Sequence, residues 1–149
     1  MQVKKSDIKT FDAAHMKVGV VVANFNEEIT GKLLKSALEG LKKCNIDRKN
    51  IRVVVVPGSV EIPFVLQKFA QSKKYDCLVA LGAVIKGETD HYTYVCKMVQ
   101  EGTLRVMLDY SIPIGFGVLT ANTFEQAAAR TDFGGHAAAA ALELAGLKF

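Results

Sequence analysis

The residues best suited to chemistry lie in one stretch, Lys86 to His91, between an apolar run and a helical pattern. Gly87 frees the backbone there, and the free N–H groups at a helix start favour an anion such as phosphate. His91 falls in the first helical turn, where the dipole disfavours imidazolium, and a neutral imidazole can take or relay a proton. The stretch predicts either an anion site with a proton carrier or an ordinary strand-to-helix turn capped by Thr89.

Other polar and aromatic side chains follow the neighbouring apolar runs. Asn24, Phe25 and Asn26 follow the first run, and Ser59 and Glu61 follow the second. If the runs are parallel strands, their carboxyl ends share one edge and these loops meet there. A planar ring could stack on Phe25, although an isolated Phe is more often part of a core. The alternative is that these are the polar loops of any globular protein.

Two candidates lie further along the chain. Phe116 belongs to the fourth apolar run, and because a strand alternates its faces, its side chain is directed either into the core or towards a ligand. Arg130 ends a short helical segment, where it could bind an anion through two N–H groups or remain an ordinary surface arginine.

The order of apolar segments predicts an α/β fold. Continuous apolar runs, typical of strands buried on both faces, cover Val18–Ala23, Ile51–Val56, Cys77–Leu81 and Ile112–Leu119. Helical patterns follow them, capped by Asn26, starting at Pro63 with 59–62 left as a loop, capped by Thr89, and covering Thr123–Arg130 and Phe133–Leu147. The expected architecture is a three-layer, doubly wound, flavodoxin-like sheet of four parallel strands, with its ligand site between the first and third strands.

Composition narrows the functional classes. The chain has 149 residues, enough for one domain, with 50% hydrophobic and 23% charged residues. Its net charge of +4 is scattered rather than clustered, which is untypical of a nucleic-acid binder. The glycine signatures of dinucleotide and ATP sites are missing, and the three histidines and three cysteines have no metal-ligand spacing. We therefore expect no metal, no membrane partner and a cytoplasmic protein with reduced thiols.

Taken together, the segments from about Lys17 to Leu147 resemble the 6,7-dimethyl-8-ribityllumazine synthase family. The resemblance is carried, in family order and spacing, by VVANFN (21–26), VPGSVEIP (56–63), GAVIKGETDHY (82–92), PIGFGVLT (113–120) and EQAAAR (125–130). It implies a synthase-like domain over residues 17–149. Residues 1–16, which lack a core pattern, would form an N-terminal arm that frays or pairs with the next subunit's sheet.

The resemblance implies an activity and a role for each matching residue. The enzyme would join 5-amino-6-ribitylaminouracil to 3,4-dihydroxy-2-butanone 4-phosphate, without a cofactor, to give 6,7-dimethyl-8-ribityllumazine for riboflavin biosynthesis. His91 would move protons, and Phe116 would come from an adjacent subunit. The implied pyrimidine and ribityl contacts are Phe25, Asn26, Ser59, Val60, Glu61, Ile62, Ala83, Val84, Ile85 and Phe116, and the phosphate contacts are Gly87, Glu88, Thr89 and Arg130.

One region departs from the family pattern. RTDFGGHAAAA (130–140) is shorter than the usual connection between the last two helices and lacks a match for the family's phosphate lysine and for its acid near the histidine. His136 either stands near the anion or is a surface residue at a helix end. The resemblance implies homopentamers, with assembly into a shell of sixty subunits as a further option. Two alternative functions are an archaeal-type riboflavin synthase and a non-catalytic flavin- or lumazine-binding shell protein.

Overall fold

The computed structural model describes residues 10–149. The predicted alternation of strands and helices is confirmed. The strands are β1 (Val18–Ala23), β2 (Ile51–Val56), β3 (Cys77–Ile85) and β4 (Ile114–Ala121). The helices are α1 (Glu27–Lys43), α2 (Ile62–Ser72), α3 (His91–Asp109), α4 (Phe124–Ala128) and α5 (Phe133–Ala145), and short 3-10 turns occupy Arg48–Asn50 and Ser59–Glu61.

The four strands form one parallel sheet in the order β2-β1-β3-β4. This is the predicted flavodoxin-like order, in which the chain reverses its direction of winding between β1 and β3. The loops after β1 and β3 therefore separate at the carboxyl edge of the sheet and leave a crevice between them. The sheet positions a ligand site there before any side chain is considered.

Helices cover both faces of the sheet and make two separate cores. On one face α1 and α5 pack against inward side chains such as Val20 and Val79, and on the other α2 and α3 pack against Val21 and Leu78. Neighbouring residues of β1 thus enter opposite cores, as expected of a strand buried on both faces. The three predicted layers are confirmed.

Several element boundaries differ from the prediction. β3 runs to Ile85 rather than ending at Leu81, because it pairs with β4 as far as Ala121. β4 accordingly begins at Ile114 instead of Ile112. Residues 59–61, expected in a loop, form a 3-10 turn that continues directly into α2, so Pro63 is the second residue of that helix rather than the first. The last two helices are each shorter than expected by a few residues at their ends.

The segment that precedes β1 is partly described. Ala13 and Met16 are buried in the α1/α5 core, and the Ala13 N–H donates to the Cys44 carbonyl. Residues 1–9, the greater part of the expected arm, lie outside the described residues. Over the described range, no helix is long and apolar enough to cross a membrane. Cys44, Cys77 and Cys96 are free thiols.

Candidate active site

A cavity of about 460 Å³ opens at the carboxyl edge of the sheet, between the loops that follow β1, β2 and β3. Fifteen residues from four segments of the chain line it: Phe25, Asn26, Pro57, Gly58, Ser59, Val60, Glu61, Ala83, Val84, Ile85, Gly87, Thr89, His91, Tyr92 and Val95. The topology alone predicted a site at this switch point, and the cavity lies there. Its size is in the usual range for a site that holds small organic ligands.

The loop after β1 presents an aromatic ring to this cavity. Phe25 is 71% exposed, so its ring face is available to a planar ligand rather than packed in a core. Its position is fixed by the backbone, since the Phe25 N–H donates to the Pro57 carbonyl at 3.0 Å and the Asn24 N–H to the Val56 carbonyl at 2.7 Å. The interpretation of Phe25 as a core residue is therefore wrong.

Asn26 does not cap α1 with its side chain, contrary to the prediction. It adopts left-handed backbone angles (φ 63°, ψ 48°), and its side chain makes no capping hydrogen bond. Instead Asn26 Nδ2 donates to the Ala83 carbonyl oxygen at 2.8 Å. The amide is used to connect the loop after β1 to the end of β3.

The 3-10 turn after β2 supplies a hydroxyl and a carboxylate. Ser59 is only 5% exposed and lies over Gly82 of β3, so close that a Cβ at position 82 would come within 2.6 Å of Ser59 Oγ. Glu61 Oε2 accepts a hydrogen bond from the Gly58 N–H at 3.0 Å, which orients the carboxylate on its own turn. Gly82 thus has a steric function that its sequence position did not reveal, because it lets the serine approach the sheet.

The loop after β3 ends at the start of α3, a helix of 19 residues. Gly87, Thr89 and His91 all line the cavity. The predicted cap residue lies one position too early, since Asp90 occupies the cap position, but Thr89 Oγ1 does accept from the His91 N–H at 3.3 Å. The positive end of this helix dipole and its free N–H groups therefore face the same chamber as the imidazole.

Four of the predicted site residues do not line this cavity. Ile62 is fully buried in the α2/α3 core, and Glu88 is exposed outside the cavity. Phe116 lies on the edge strand β4 and is 42% exposed. Arg130 donates from a guanidinium nitrogen (Nη1) to the Gln126 carbonyl of its own helix at 2.6 Å.

His136 lies at a different place. With Thr10, Ser36 and Asp132 it lines a second cavity of about 320 Å³ between α1 and α5. Ser36 Oγ accepts there from the Gly135 N–H at 2.9 Å and donates to the Asp132 carbonyl at 3.2 Å. Within one chain, His136 is therefore not part of the cavity that contains His91.

Sequence reasoning missed Pro57, Gly58, Tyr92 and Val95 as cavity residues. Tyr92 and Val95 were assigned to the buried face of α3, and the same apolar face that packs on the sheet also forms the cavity floor at the first helical turns. Burial, followed by the neighbouring Cys96, raises the pKa of Tyr92. Among residues 10–149, no group of three or more His, Cys, Asp and Glu side chains is placed to hold a metal ion.

A family model described as 6,7-dimethyl-8-ribityllumazine synthase matches residues 15–148. The chain belongs to the 6,7-dimethyl-8-ribityllumazine synthase family. The predicted activity is confirmed at the level of the family, a transferase that forms 6,7-dimethyl-8-ribityllumazine in riboflavin biosynthesis. The sheet order agrees with the flavodoxin-like fold of lumazine synthases, so fold and family identify the same edge of the sheet as the site.

Proposed function

We propose that this cavity is where 5-amino-6-ribitylaminouracil and 3,4-dihydroxy-2-butanone 4-phosphate are joined. The observation that carries the proposal is that one chamber contains a free aromatic face, a hydroxyl with a carboxylate, and a helix start beside a histidine. These are the groups needed for a flat heterocycle, a polyhydroxylated chain, a phosphate and a proton transfer.

The pyrimidine and its ribityl chain occupy the part of the cavity bounded by the first two loops. The ring stacks on Phe25, against the backbone of Val84 and Ile85. The ribityl hydroxyls reach Ser59 and Glu61, whose positions are already fixed by Gly82 and by the Gly58 N–H. Val60, Ile62 and Ala83 contribute backbone around ring and chain.

The phosphate of the second substrate binds at the start of α3. Gly87 and Glu88 offer backbone N–H groups, and the Thr89 hydroxyl, which accepts from the His91 N–H, keeps its own proton to donate. The dipole of the 19-residue helix adds to the attraction. The phosphate end is therefore within the same chamber as the histidine.

The reaction is then carbonyl chemistry with His91 as the proton carrier. The 5-amino nitrogen attacks the ketone carbon, and loss of water leaves an imine. Removal of a carbon-bound proton expels phosphate by cleavage of its C–O bond, and the ribitylamine nitrogen then closes the ring with loss of a second water. His91 accepts and returns these protons, and holding both substrates together lowers the entropic barrier.

Phe116 and Arg130 complete the site from a neighbouring subunit. Both are solvent-accessible and lie outside their own chain's cavity. Exposed apolar side chains on α2 and α3, namely Phe64, Met98, Leu104 and Leu108, support an association surface. We propose a homopentamer with sites between subunits and a shell of sixty subunits as a larger form, to be measured by mass in solution. The three free thiols support a cytoplasmic location.

Incubation of the purified protein with both substrates tests the activity. The proposal predicts the absorbance of the lumazine product, in proportion to the phosphate released. Formation of riboflavin from added lumazine would instead support the riboflavin synthase alternative. Binding of lumazine or flavin without turnover of either substrate pair would support the non-catalytic shell protein.

A further inference from the structure

The two neighbours of β3 end at different heights. On one side, β1 pairs with β3 only as far as Val22 opposite Leu81. On the other side, β4 pairs with β3 through Ala121 opposite Ile85. The last residues of β3 are thus supported by the ladder on the β4 side alone, and the open β1 side is the side from which the cavity enters. We call residues 83–85, all of which line the cavity, the β3 wall.

Asn26 spans this opening. Its Nδ2 donates to the Ala83 carbonyl at 2.8 Å across a sequence separation of 57 residues. On its other side the same loop is held to the end of β2 by the Phe25 N–H on the Pro57 carbonyl. Beyond the ladder of β1, the loop is therefore bound to both neighbours, by its backbone on one side and by the Asn26 amide on the other.

The backbone at position 26 restricts which residue can do this. A φ of 63° is disfavoured for most side chains and tolerated by Gly, Asn and Asp. Gly has no side chain to donate, and the carboxylate of Asp would face a carbonyl oxygen without a proton to share. Among the residues that tolerate this conformation, Asn combines the backbone with a donor.

We propose that Asn26 is a positioning residue that sets the gap between the Phe25 ring and the β3 wall. Position 25 is adjacent in the chain and strongly exposed, so its ring has little packing of its own to hold it. The amide clamp to Ala83 supplies that restraint before a ligand arrives. That the gap receives the pyrimidine ring rests on the proposed function, but the restraint itself does not, and it assigns Asn26 a role other than contact with substrate.

The first test needs no ligand. The chain contains no Trp, so Phe25→Trp places a single intrinsic fluorophore at the cavity. In that background, Asn26→Gly preserves the left-handed backbone and removes the clamp, and Asn26→Asp retains the shape without the donor. Asn45→Gly is the matched control, because Asn45 is also left-handed (φ 65°) and lies at the end of α1, outside the cavity.

We expect lower tryptophan anisotropy in the Asn26→Gly and Asn26→Asp proteins than in the Asn45→Gly protein, at equal unfolding temperature shifts. In the Phe25 background, the same two changes should weaken lumazine binding about tenfold and leave inorganic phosphate binding unchanged, as loss of preorganisation predicts.

Equal anisotropy in the Asn26 and Asn45 variants would overturn the positioning role, even if activity fell. Weaker lumazine binding with unchanged anisotropy would mean that Asn26 contacts the ligand directly, and would overturn it too. Lower anisotropy in a protein that does not bind lumazine at all would retain the clamp and refute the proposed function, so the two failures are distinguishable.

Discussion

The loops after β1, β2 and β3 and the segment after β4 hold their candidate residues in opposite ways. The first three loops bring Phe25, Ser59 and His91 into one cavity within a single chain. The segment after β4 leaves Phe116 and Arg130 accessible, and places His136 in a separate cavity against α1. The crevice at the switch point brings the first three loops together, whereas β4 is an edge strand whose far side faces away from that crevice.

The comparison shows that a parallel sheet can complete only part of a site by itself. Residues at the switch point converge because the strands force them to. Residues after an edge strand act on a ligand only if something else brings them to one, and the proposed neighbouring subunit does so. The predictions below test this division.

The largest effect is expected from complementation between subunits. His91→Ala alone should lower kcat about 10²–10⁴-fold, and Arg130→Ala alone should lower kcat/KM at least about tenfold through lost phosphate binding. If Arg130 serves the neighbour's cavity, co-expression of the two variants should restore about a quarter of wild-type activity, from random pairing of equal populations. Steady-state rates on the purified mixed assembly would measure this.

A co-expressed assembly no more active than the average of the two parent variants would contradict the division. Arg130 would then act in its own chain's cavity, or not at all. Mixing the separately purified variants without subunit exchange is the control, and should give no recovery.

The next effect concerns the structural character of the α1–α5 contact. A Cβ at Gly134 would lie 2.0 Å from the Leu33 carbonyl oxygen, a backbone atom that cannot easily move. Gly134→Ala should therefore lower the free energy of unfolding by about 1–3 kcal/mol or more. Gly31→Ala in α1, where nothing lies within 4 Å of the added Cβ, should raise it by about 0.5–1 kcal/mol. Urea unfolding would measure both, and effects of the same sign would refute the packing argument.

A smaller, local effect is expected at Gly82. Gly82→Ala displaces Ser59, because the new Cβ would approach Ser59 Oγ to 2.6 Å. Overpacking of about 1–3 kcal/mol predicts roughly five- to hundredfold weaker binding of lumazine, with inorganic phosphate binding unchanged. Calorimetric titration with both ligands would show this, and Gly31→Ala is the control. Equal weakening of both ligands would mean that the first two loops and the α3 start do not form separable subsites.

The end of β3 remote from the cavity should show the smallest effect. Burial, and then Asp76, raise the pKa of the Cys77 thiol to about 12 from an ordinary 9.0. The unfolded chain loses this proton at a lower pH than the folded chain, so stability falls as pH rises above 9, by about 1.4 kcal/mol at pH 10. Unfolding of wild type and Cys77→Ala at pH 8 and pH 10 would check it, since the variant should lack this increment. Parallel pH profiles would contradict it.

The sequence predicted the fold well because its signals are local. Continuous runs such as VGVVVA indicate strands buried on both faces, and alternation with helices leaves few topologies. The loops that carry Ser59, Glu61 and His91 then have one edge to meet at. This half of the site follows from the order of the elements.

Features that depend on distant contacts could not be predicted. Asn26 matched a helix cap in its local sequence, whereas its amide partner lies 57 residues away. Tyr92 and Val95 have the helical spacing of core residues, and a core face and a cavity floor look alike in sequence. The extension of β3 to Ile85 depends on its pairing with β4. The placement of Phe116 and Arg130 in a site requires a second chain, which no local pattern of one chain describes.

The most direct measurement is a crystal structure of the protein with 6,7-dimethyl-8-ribityllumazine and inorganic phosphate. We expect the ring of the ligand between Phe25 and the β3 wall, its ribityl chain on Ser59 and Glu61, and phosphate at the start of α3 within reach of His91. A ligand bound anywhere else, or a ring turned away from Phe25 with the α3 start unoccupied, would contradict the assignment of this cavity as the catalytic site.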